Sequence, residues 1–137
     1  MLRSFVLVTL LAVACRSGSS AGAAGGAPAA VAARPAEVTA ANIALGDSLF
    51  NNGGCMRCHG RAGIGATGGP MLNDSQWLQL KSGSYEEIVG IITSGVPAAS
   101  IKDSTHKFPM GARGGRMNLT DPQIKAVAAY VYSLSHK

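Results

Sequence analysis

Residues 55–59 read Cys-Met-Arg-Cys-His, and no other run in the chain restricts the fold as tightly. On one helical turn, positions i, i+3 and i+4 share a face. The thiols of Cys55 and Cys58 and the imidazole of His59 can therefore meet one flat ligand. This is the attachment pattern of a c-type haem, with two thioethers to the porphyrin and a histidine to its iron. Zinc needs a second pair of ligands, and no further cysteine follows residue 58. Thiol–disulfide exchange leaves His59 unexplained and belongs in a β-α-β frame, of which the sequence carries no sign.

A covalent porphyrin also accounts for an unusual composition. The 137 residues suffice for one small domain, and 47% are hydrophobic, yet only 5% are aromatic. Aromatic rings supply much of the buried area in small domains, so a chain without them needs another filling, and the cofactor provides it. The 18 glycines suit loops that follow a flat group closely. The formal charge of +5 comes without a Lys/Arg run or aromatic interleaving, and nucleic-acid binding is not expected.

The chain divides into three parts. Met1-Leu2-Arg3 followed by an apolar run over 4–14 reads as a signal peptide, too short to span a bilayer that needs roughly 20 residues. Ala12-Val13-Ala14 is a small-x-small cleavage pattern, and the next residue, Cys15, resembles the lipidated cysteine of bacterial lipoproteins. Residues 15–36 are dominated by Ala, Gly, Ser and Pro, a flexible linker of roughly 25 Å r.m.s. span. The folded domain is expected over 37–137, with no later segment apolar enough to cross a membrane.

Helix signals are clear within that domain. Thr39 caps a helix over 40–51 with Ile43, Leu45 and Phe50 on apolar faces, ended by Asn52-Gly53-Gly54. Residues 60–76 are irregular, and a short helical turn is expected around 74–80. Ser84-Tyr85-Glu86-Glu87 reads as a capping box opening a helix through Ile92 that stops at Gly95. A loop over 96–118 follows. Thr120-Asp121-Pro122-Gln123 caps a last helix, to about residue 133, with Ile124, Val127, Ala128, Val131 and Leu134 on its apolar side. With no strand signal, the fold class is all-α.

Gly46-Asp47-Ser48-Leu49-Phe50 and Gly54-Cys55-Met56-Arg57-Cys58-His59-Gly60 together resemble the opening helix and haem-binding turn of the class I cytochromes c. The resemblance covers about residues 40–136. It implies a small helical domain wrapped around one haem c, with Gly46 and Phe50 crossing Val127 and Tyr130 of the last helix. It also implies that His59 is the proximal iron ligand and that the Pro70 carbonyl accepts its hydrogen bond. By the same resemblance, Leu72 would pack on the haem and Trp77 would face its propionates. Met110, ten residues before the Thr120 cap in a Gly/Pro loop, matches the family's distal ligand, although here Pro109 precedes the Met whereas the family often places Pro after it. Met117 and His106 remain alternatives for that position, while Met56, Met71 and His136 are less suited.

Iron closed by two axial ligands suits electron transfer rather than bond-making, and Met/His ligation favours the ferrous state. No acid–base pair, nucleophile elbow or phosphate loop points to an enzyme. The expected function is a one-electron carrier of the bacterial cell envelope, periplasmic or tethered through Cys15. It would exchange electrons with redox protein partners such as a terminal oxidase. The competing readings are a cytochrome subunit held permanently in a dehydrogenase or oxidase complex, and a haem enzyme or gas sensor with an opening distal site. Lys102, His106, Lys107, Arg113 and Arg116, around Met110, could steer an acidic partner.

Overall fold

The first and last helices meet because a glycine faces a backbone. The computed structural model describes residues 34–106 and 108–137. In it, Thr39 Oγ1 accepts the Asn42 N–H at 3.2 Å and opens α1 (Ala40–Asn52). The last long helix, α4 (Asp121–Ser135), has Pro122 in its first turn, where no amide is needed. Gln123 Oε1 accepts the Thr120 N–H at 3.0 Å, one arm of its cap. A Cβ at Gly46 would land on the Ala126 carbonyl and come within 2.8 Å of the Tyr130 Cβ. Only a hydrogen side chain permits this crossing. Phe50 closes the contact, its ring 5.4 Å from that of Tyr130 at 56°. The atoms nearest a Gly46 Cβ belong to the Ala126 carbonyl and to Tyr130, while Val127, the residue after Ala126, also lines the cavity described below.

Helix α2 (Cys55–His59) follows α1 directly, and α3 (Tyr85–Ser94) packs against α4, with the Tyr85 hydroxyl donating to the Lys125 carbonyl at 3.2 Å. Phe50, Ile88, Leu119, Ile124 and Val127 are the largest fully buried side chains. Everything else is loop, short 3-10 turns and two isolated bridges, Ala66–Gly69 and Val96–Met110. The described residues form no β-strand, and the fold is all-α, as the sequence predicts.

The details depart from expectation in places. Residues 74–80 form bends, not a helical turn. Asp74 Oδ1 accepts the Gln76 N–H at 3.0 Å, a local turn that competes with a helix, and Trp77, Leu78, Gln79 and Leu80 then line the cavity. Leu45 is 46% exposed rather than packed. Helix α4 runs to Ser135, two residues beyond the sequence estimate. The leader over 1–14, Cys15 and the linker up to residue 33 lie outside the described residues. Among those described, no helix is long and apolar enough to cross a membrane.

Candidate haem-binding site

One turn of helix carries the chemistry. Gly60, at φ 71°, ends α2 by returning its N–H to the Met56 carbonyl at 2.9 Å. The three motif side chains Cys55, Cys58 and His59 line a single cavity, whereas Met56 packs into the core and Arg57 is exposed. Asn51 braces this turn from outside. Its Oδ1 accepts the Ala62 N–H at 2.9 Å, and its Nδ2 donates to the Tyr130 hydroxyl at 2.9 Å. One side chain therefore joins α1, α4 and the chain just after the motif.

His59 Nδ1 lies 3.0 Å from the Pro70 carbonyl oxygen. A carbonyl can only accept, so Nδ1 carries the proton and Nε2 keeps its lone pair. Burial lowers the His59 pKa, partly opposed by the Pro70 hydrogen bond, so the neutral form is favoured. The ring is fixed on two sides: Phe50 stands 6.4 Å away, centroid to centroid, and a Cβ on Gly69 would come 3.1 Å from His59 Nδ1. Burial likewise raises the Cys55 thiol. Cys55 and Cys58 are not bridged to each other.

Leu72 and Trp77 both line the cavity. The Leu72 N–H is tied to the Gly63 carbonyl at 2.7 Å. Trp77 lies so close to Gly83 that a Cβ there would strike the indole nitrogen. Of the sulfurs, Met110 lines the cavity and is held by a pair of backbone bonds with Val96, at 2.9 and 3.0 Å. Met117 is engaged elsewhere: its Sδ accepts the Gly54 N–H at 3.0 Å, over the junction of α1 and α2. Met71 and His106 also line the cavity, whereas His136 stacks on Tyr132 at the exposed end of α4.

The walls fit a flat apolar group bearing iron. Ile88 and Ile92 of α3 and Val127 and Val131 of α4 form one side. On the rim Phe108 is 65% exposed and Leu78 54%, apolar surface that the polypeptide alone does not cover. Two thiols, an imidazole with a free Nε2 and a thioether make a donor set suited to haem iron and its thioether links. Sequence reasoning missed several of these residues. Phe108, beside Pro109-Met110, was signalled by being an aromatic in a Gly/Pro loop. Ile101 and Gln79 had no local signal, because they reach the cavity through a tie between distant segments. Gln79 Nε2 donates to the Ser100 carbonyl at 2.9 Å, and its Oε1 accepts the Lys102 N–H at 3.0 Å.

The basic residues near Met110 are not all free to steer. Arg113 Nε donates to the Leu119 carbonyl at 2.8 Å, and its guanidinium pairs with Asp121. Lys102 Nζ donates to the Gln79 carbonyl at 3.3 Å. Lys107 lies outside the described residues.

The chain is similar to known proteins. The family model described as Cytochrome c matches residues 43–135. Subunit FixP of the cbb3-type cytochrome c oxidase of Bradyrhizobium diazoefficiens is 39% identical over 92 residues, covering 67% of this chain and 30% of that protein. Subunit CcoP of the cbb3-type oxidase of Azospirillum sp. strain B510 is 39% identical over 98 residues, 69% of this chain and 31% of its own length. The chain thus spans about a third of the length of these relatives. Among solved structures, cytochrome CL of Methylophaga aminisulfidivorans aligns with a TM-score of 0.56 at 26% identity, over 72% of this chain and 57% of that one. With CxxCH and its cavity so arranged, the chain belongs to the cytochrome c family and carries covalently bound haem c.

Proposed function

We propose that this domain is a one-electron carrier of the bacterial cell envelope, with its iron held between His59 and Met110. The observation that carries the reading is the pairing of a neutral, hydrogen-bonded His59 with a backbone-pinned Met110 in one apolar cavity beside both cysteines. When bound, haem c supplies reversible exchange of one electron between ferric and ferrous iron. The chain's own residues keep that exchange free of other chemistry. Pro70 fixes the His59 tautomer, which supports ligation through Nε2. The Val96 bridge restrains Met110, and the apolar walls from α3 and α4 limit water. Two retained ligands support electron transfer over bond-making. Leu72 offers a packing face, and Trp77 an indole N–H suited to a propionate. The leader-like residues before Cys15 support export, with lipidation at Cys15 as a tether.

The relatives named as oxidase subunits favour a second reading: this domain serves as an electron-transfer subunit bound to a larger redox complex. Purification from native membranes separates the two, since a carrier elutes alone and a subunit elutes with its complex. The ligand assignment is tested by the absorption band at the red edge of the ferric spectrum, which reports a thioether on iron. It is expected to vanish in Met110→Ala and to survive in Met117→Ala. The reverse pattern would transfer the role to Met117.

A further inference from the structure

Asp103 and His106 form a pair on the cavity that the carrier function leaves unexplained. His106 Nδ1 lies 2.6 Å from Asp103 Oδ2 and 2.8 Å from Thr105 Oγ1. The Asp103 side chain is only 7% exposed. Its other oxygen accepts the Thr105 hydroxyl at 2.6 Å and the Thr105 N–H at 2.7 Å. An ionised carboxylate only accepts, so it selects the proton on Nδ1 and leaves Nε2 with its lone pair. A carboxylate behind a histidine is the arrangement that orients imidazoles toward metals and strengthens them as ligands.

We propose that His106 is a reserve iron ligand, an imidazole prepared by Asp103 that takes the distal position whenever Met110 does not hold it. The inference rests on the reading of Met110 as the resting ligand. His106 lines the same cavity as Met110, four residues earlier in the chain. Lys102 is fixed by Gln79 and Met110 by Val96, while none of the described residues between them enters a backbone–backbone hydrogen bond. The exchange is a simple substitution. His106 Nε2 donates its lone pair as the Met110 sulfur leaves, with no proton or electron gained or lost. The consequence is protective and regulatory, because the site stays closed to small ligands but at a lower potential.

The test uses the haem-loaded protein and absorption and electron paramagnetic resonance spectra. Met110→Ala and the better-filling Met110→Leu should remain low-spin with a bis-imidazole spectrum and, when reduced, should not bind carbon monoxide. Adding His106→Phe to either should give a high-spin iron that binds it. Asp103→Asn in the Met110→Ala background should lower the cyanide concentration needed to displace the internal ligand by about 10–100-fold. High-spin single Met110 variants would overturn the proposal, as would a double variant that stays low-spin. Failure of the underlying reading looks different: the unsubstituted protein would lack the thioether band, and Met110→Ala would leave its spectrum unchanged.

Discussion

The crossing of α1 and α4 and the loops around the cavity solve the same problem by opposite means. At the crossing, helical ladders satisfy the backbone, and apolar contact does the rest: Gly46 against Ala126, Phe50 against Tyr130. In the loops over 60–83 and 95–119 only isolated bridges and short turns pair backbone with backbone, and individual side chains supply further partners. Asn51 serves Ala62, Gln79 serves Ser100 and Lys102, Glu87 serves Lys81, Ser82 and Gly83, and Arg113 serves Leu119. Buried backbone groups must be paired somehow. The first region therefore depends on shape and the second on single polar atoms, and it is the second that surrounds the site.

Shape should be the costlier thing to break. Gly46→Ala is expected to destabilise the haem-loaded protein by about 1–3 kcal/mol, because the methyl group meets backbone that cannot rotate away. In a domain of this size that is a fall of roughly 4–8 °C in Tm per kcal/mol. Gly90→Ala in α3 is the matched control: nothing lies within 4 Å of its Cβ, and the exchange should stabilise by about 0.5–1 kcal/mol. Equal effects at the two positions would refute the close crossing. Asn51→Ala comes next. It leaves the Ala62 N–H and the Tyr130 hydroxyl without their partner, a loss of about 1–3 kcal/mol. Hydrogen exchange should accelerate at Ala62 and stay unchanged within α3, and uniform acceleration would deny Asn51 its bridging role.

The same contrast decides what could be read from the sequence. Helices α1, α3 and α4 were legible because a cap residue and an apolar period coincide in each, and CxxCH is local by construction. The close approach of Gly46 to the Ala126 carbonyl was not, because it depends on how two helices distant in sequence cross. Nor could the sequence reveal that residues 74–80 bend rather than coil, since Gln79 finds its partners more than twenty residues away. Glu87 is the most instructive departure. Ser84-x-x-Glu87 promises a capping box, and Ser84 Oγ does accept the Glu87 N–H at 3.3 Å. The carboxylate, however, passes over Ser84 and reaches back to the N–H groups of Lys81, Ser82 and Gly83 and the Ser82 hydroxyl, leaving the Ser84 N–H to Ser82 Oγ. Three converging amides outbid one.

That carboxylate yields the smallest effect and the one with a signature in pH. The Ser82 N–H foremost, with the Ser82 hydroxyl and the N–H groups of Lys81 and Gly83, lowers the Glu87 carboxyl from an ordinary 4.5 to about 2. A depressed carboxyl contributes stability that is full above its unfolded pKa and is lost as pH falls through the folded one. Glu87→Gln should therefore be less stable than the unsubstituted protein at pH 7, and the gap should close between about pH 4.5 and 2 as the native carboxylate takes up its proton. Because Gly83 packs directly on Trp77, loosening the loop should also alter the near-ultraviolet circular dichroism of Trp77 in the haem-loaded protein. A stability difference that stays constant from pH 7 to 2 would mean that the shape of the loop, and not the charge of Glu87, holds Gly83 in place. In that case the loops would resemble the helix crossing more than the contrast between them allows.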